Sequence, residues 1–190
     1  MTSTLDWNRA LREQWEFHWN HQVRDRLAGL TDDEYTWSPV PDPWNVRPRG
    51  GPEPQFGTGE HLIDFAFPTP SPEPFTTIAW RLGHVIVGVL AMRNATHFGG
   101  APASYEGWAY AGTAKEALAQ LDTELEVWLA GVAELDEAAL ATPVGPKEPG
   151  HEDAPMADLV LHIHRELIHH LSEVCLLRDL YLHTRRGETA

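Results

Sequence analysis

The sequence predicts an all-α protein, a four-helix bundle with one long proline-rich crossover between its first and second helices. Three observations predict it. Four helical segments emerge between clear stop signals. Ten of the fifteen prolines fall between Pro39 and Pro74, a density that prevents helix and breaks sheet ladders. No internal repeat and no sustained heptad points to a solenoid or an extended coiled coil. The 190 residues suffice for one domain with a sizeable core, and residues 1–190 are expected to form it.

The first helix is expected from about Thr4 to Gly29, with Gly29 as its stop. Trp7, Trp15 and Trp19 crowd it; most of the eight tryptophans are expected to fill the core and seal loops. Residues 36–75 form the Pro/Gly-rich loop, which a compact domain keeps only if it is functional or tied down by its own side chains. Within it, His61 to Phe67 partly alternates and suggests a short extended strip. The second helix, residues 76–99, is apolar almost all round and therefore expected inside the bundle. The third spans Thr113 to Ala133, with Thr113 and Glu116 as a capping box and a stripe of Leu118, Leu121, Leu125, Trp128, Leu129 and Val132. Asp136 to Ala141 adds a helical turn. Pro155 opens the last helix, which ends by about Thr184, leaving residues 185–190 as a frayed tail.

Composition excludes several classes of function. A formal net charge of −14 argues against a basic nucleic-acid surface and against anchoring to an acidic membrane. The apolar second helix is interrupted by Arg81, His84 and Arg93, so no span of a bilayer is expected. The N-terminus has no signal-peptide pattern. A single cysteine, Cys175, forms no intrachain disulfide and fits a reducing cytoplasm.

The last helix carries the chemistry. Residues 162–181 hold four of the eleven histidines. With 100° per residue and Ile163 at zero, Leu159, Val160, Leu167, Val174, Leu177 and Tyr181 fall within about 60°. His170 lies roughly 20° from the centre of that stripe and Glu166 roughly 60° away on the same side. His162 and His164 lie roughly 100° off and His169 roughly 120° off, so these three are expected to point sideways or outward, whereas Cys175, also roughly 120° off, is a poor ligand and is expected to be a small packing residue against a neighbouring helix. A carboxylate directed at a core needs a partner; a metal ion supplies one, as would a hydrogen bond to His170. His84 sits in the middle of the buried second helix, beside the small residues Gly88, Ala91 and Ala95, with no polar partner on its own face. A partner is therefore expected from another helix. His84, Glu166 and His170 together make a His₂Glu set. Three protein ligands with one open position is the pattern of a catalytic zinc site.

At these residues the sequence resembles a known family. PFTTIAWRLGHV (residues 74–85) and HRELIHHLSEVCLLRDLY (residues 164–181) look like actinobacterial members of the DinB/YfiT-like metalloenzymes. The resemblance covers most of the chain, helix by helix. It implies metal ligands at His84, Glu166 and His170. It also implies a divalent metal, a low-molecular-weight thiol such as mycothiol or bacillithiol, and thiol transfer or isomerisation of a small-molecule substrate. A homodimer is expected on the same ground.

Two further residues are candidates for substrate binding. His18 on the first helix offers an acid/base group, against a surface or packing role. Arg178, two turns beyond His170, offers a partner for an anionic group, against a salt bridge at a helix end. The alternative to a metal-dependent enzyme of the thiol-transferase type is a non-catalytic dimeric binding or stress-response module with a structural metal or none.

Overall fold

The computed structural model describes residues 5–51 and 53–185. The start of the first helix at Thr4 lies outside them, and so does the tail at 185–190 apart from the Arg185 backbone. Helix α1 is α-helical over Trp7–His18, widens to a π segment over Trp19–Val23 and closes as α-helix over Arg24–Leu27. Asp6 caps its start. Gly29, in the left-handed region at φ 71°, stops it where few other residues sit without strain.

The crossover is where expectation and structure part. It contains a short helix, α2 (Asp32–Thr36), closed by a full capping box between Thr31 and Glu34. It also contains a three-stranded antiparallel sheet of β1 (Val46–Pro48), β2 (Gln55–Phe56) and β3 (His61–Asp64), in the order β1-β3-β2. The protein is mostly helical, but not all-α. The prolines bound these strands instead of preventing them: Pro48 ends β1, an edge strand, where a missing N–H is tolerated. The extended strip expected at His61 to Phe67 is β3, shorter by three residues. Ile63 pairs with Val46 on one side and Phe56 on the other. It is fully buried and packs against Gly83 of the next helix.

Helix α3 is α-helical over Ile78–His84, a π segment over Val85–Ala91, and α-helical again over Met92–His97. Thr77 caps it, and the Thr77 hydroxyl donates to Asn45 at 2.8 Å, which ties the helix start to the crossover. Helix α4 (Ala114–Ala133) begins at the expected N-cap, where the Thr113 hydroxyl accepts from the Glu116 N–H. The return bond from the Glu116 side chain is not made, so the box is half formed. Helix α5 (Glu137–Ala141), a 3₁₀ turn (Gly145–Lys147) and α6 (Met156–Arg185) complete the chain.

The four long helices share one apolar core, with α3 buried most fully: Ile78, Ala79, Leu82, Val85, Val87 and Leu90 are all but inaccessible. Trp15 and Trp128 are fully buried, whereas Trp7 is exposed. Among the described residues no helix is long and apolar enough to cross a membrane.

Candidate metal centre

α3 and α6 lie against each other along much of their length, and that contact brings two histidines together. The rings of His84 and His170 sit edge to face, with centroids 4.8 Å apart. One turn before His170, the Glu166 carboxylate lies 3.5 Å from the His170 Nε2. His170 therefore adjoins both of the other residues that helical spacing selects, His84 across the helix contact and Glu166 on its own helix.

The His84 ring is held on two sides. It stacks on Trp80, four residues earlier, at 5.4 Å and 12°. Its Nδ1 is 2.6 Å from the Tyr105 hydroxyl, and burial keeps that phenol protonated. Tyr105 comes from the loop between α3 and α4 and settles over Gly88. A Cβ on Gly88 would overlap the Tyr105 hydroxyl. Burial, then the neighbouring His170 and Arg81, push the His84 imidazole down to about 4. It is neutral at neutral pH, with a lone pair to offer.

The His170 Nδ1–H donates to Glu173 at 2.8 Å. The same carboxylate oxygen takes an ion pair from Arg81 on α3. Around the histidines the crossover builds an aromatic wall: Trp44 against Phe65 and Trp80, and Phe65 against Tyr105. The Trp80 indole donates to the Asp64 carbonyl at 2.7 Å, so β3 sets the position of the ring on which His84 stacks.

The other expected residues fall elsewhere. His18 is buried, bonded to Gln22 at 2.8 Å and packed beside Trp15. Arg178 bonds to the buried Glu34 carboxylate and to the carbonyls of Arg26 and Ala28 at the end of α1. Cys175 is buried, and burial pushes its thiol up. His164 corrects the expectation that it points sideways: it is 4% exposed, packed between Trp15 and Trp128. α6 is covered on two flanks, so a position roughly 100° from its apolar stripe is still interior.

Arg81, Tyr105 and Glu173 are the contacts that sequence reasoning missed. Glu173 lay open to it, three residues beyond His170 on the same edge of the helix. Tyr105, in a loop, left no periodic signal.

A second grouping competes for a cation. Among the described residues, ligand atoms of His169, His170 and Glu173 come within 4.8 Å of one another as a set. His169 is 61% exposed, and Glu173 already faces the Arg81 cation. The chemistry of the donors favours the other side of His170. Its Nδ1 meets Glu173 at 2.8 Å, which leaves Nε2 as the nitrogen that faces the Glu166 carboxylate at 3.5 Å. Two ligands of one tetrahedral zinc ion stand about 3.4 Å apart, so the pair fits a shared ion.

A cavity of about 410 Å³, lined in part by Arg93, Glu148, Asp158, His162 and Arg165, lies toward the start of α6 and is lined by none of His84, Glu166 and His170. His162 and Arg165 each approach Glu166, at 3.6 and 3.5 Å.

The family model described as the DinB superfamily matches residues 14–174. No curated protein and no solved structure matches the chain.

Proposed function

This chain belongs to the DinB superfamily, and from that premise we propose that it is a metal-dependent enzyme of the thiol S-transferase or isomerase class. One divalent ion, zinc or nickel, is held by His84, Glu166 and His170. Its open position takes a low-molecular-weight thiol such as mycothiol. The four long helices are read as the four-helix bundle of that superfamily, in one domain, with the site in its core.

The observation that carries the reading is the Nε2 of His170 facing Glu166 at 3.5 Å, with the neutral His84 ring across from it. When bound, such an ion stabilises a thiol as its thiolate, the reactive form. The chain supplies the rest. Trp80 and Tyr105 fix the His84 ring, and the aromatic wall keeps water from that side. The 410 Å³ cavity toward the start of α6 has the size of a small-molecule site and presents both charges to a polar substrate. Cys175 is not the nucleophile, being buried with its thiol held protonated.

Elemental analysis of protein purified without an affinity tag tests the reading. About one equivalent of zinc or nickel per chain is expected. His170→Ala should lose it and His169→Ala should keep it. A folded protein free of metal, or the opposite ranking of the two variants, refutes the assignment. A homodimer is favoured by large apolar side chains left exposed on α6, Leu161 at 54% and Leu176 at 65%. Association alone, with no metal, would leave the alternative of a binding module.

A further inference from the structure

Glu173 stands outside the His₂Glu set, yet it is the most heavily engaged acid near it. Its Oε2 accepts from the His170 Nδ1–H at 2.8 Å and pairs with the Arg81 guanidinium from the facing helix. His169 approaches its other oxygen at 3.5 Å. Toward these donors the Glu173 carboxylate is the acceptor. Where His170 carries a single ring proton, that contact places it on Nδ1 and leaves Nε2 facing Glu166. The two sides of one imidazole thus have opposite characters, set by what each side meets.

We infer that Glu173, clamped by Arg81, is the positioning residue of the site: it fixes the tautomer and the ring plane of His170 so that Nε2 is presented as a ligand. Arg81 lies one turn before His84 on α3, and Glu173 one turn after His170 on α6. Their ion pair therefore also fixes the two helices, and so the two imidazoles, in register. This assignment excludes Glu173 from the ligand set itself. A cation on Glu173 would sit against Arg81, and His170 would have to turn its other nitrogen.

The inference rests on the metal reading for its purpose but not for its test. Long-range proton–nitrogen NMR of the metal-free protein at pH 8 reads directly which ring nitrogen of His170 carries the proton. In the native chain it is expected on Nδ1 alone. In Glu173→Gln, whose amide donates as well as accepts, the Nε2–H form should appear, while the His84 signals stay in place. The Arg81→Lys variant, which keeps a cation, should keep the native pattern. Zinc affinity, measured by competition with a chelator, should fall about 10- to 100-fold in Glu173→Gln. A proton on the His170 Nε2 in the native chain, or an unchanged tautomer in Glu173→Gln, overturns the inference. A chain that takes up no zinc yet shows the expected tautomers refutes the metal reading and leaves the positioning role standing.

Discussion

Arg178 illustrates how a residue's neighbours decide between two roles. Its guanidinium spans the Glu34 carboxylate and two carbonyls at the end of α1. Burial raises the Glu34 carboxyl, but the Arg178 and Thr31 hydrogen bonds outweigh it and hold the group below its ordinary range. Removing one partner of a buried pair strands the other. Arg178→Leu should therefore cost about 3 kcal/mol in urea unfolding, with metal content unchanged. Unaltered stability would return Arg178 to the substrate. His164 makes a second case. Its Nδ1–H donates to the Leu11 carbonyl, and burial pushes its imidazole down to about 4. The unfolded chain binds a proton near pH 6.5 and the folded chain does not until about 4. The stability tied to a neutral His164 is whole above pH 6.5 and is lost as pH falls from there to about 4, of order 3 kcal/mol in all. His164→Phe should flatten the fall in urea midpoint of the metal-free protein between pH 7 and 4.5. Parallel curves for the two proteins would contradict this. At this scale the contacts of His170 with His84 and with Glu166 were legible, because helical spacing turns these three positions toward the helix contact. Glu173 was overlooked because its part depends on Arg81 across the helix contact, and His164 because a helix covered on two flanks has a wider interior than its apolar stripe suggests.

The elements divide by how much sequence each has in which to show a period. α4 spans 20 residues and begins at the expected cap, and the extents of α3 and α6 follow their apolar spacing to within about two residues. The strands are two to four residues long; only β3 showed a partial alternation, β1 and β2 are too short for one, and all lie among prolines that argue against sheet. The π segments of α1 and α3 leave no compositional mark. That of α3 begins directly after His84, as π segments often do at functional positions. The crossing of α3 and α4 turns on Gly131, where a Cβ would overlap the Phe98 ring. Gly131→Ala should destabilise by about 1–3 kcal/mol through overpacking, and Phe98→Leu in the same chain should recover part of that loss, measured as a double-mutant cycle. Additive losses would place the strain elsewhere.

For the molecule as a whole, the proline-rich crossover and the histidine-rich last helix serve one place. The sheet sets Trp80, Trp80 supports His84, and α6 brings His170 to the same ring with Glu166 beside it. The apolar core is continuous beneath this place. Two positions compete for the proposed cation: His84, Glu166 and His170, and the exposed His169 with His170 and the Arg81-bound Glu173. Anomalous diffraction at the metal absorption edge, from crystals of protein purified without a tag, separates them most directly. The account predicts one peak per chain within roughly 2.0–2.2 Å of the Nε2 atoms of His84 and His170 and of a Glu166 oxygen, with the Glu173 carboxylate still on the His170 Nδ1. A peak on His169 and Glu173, or a folded chain with no peak, would contradict it.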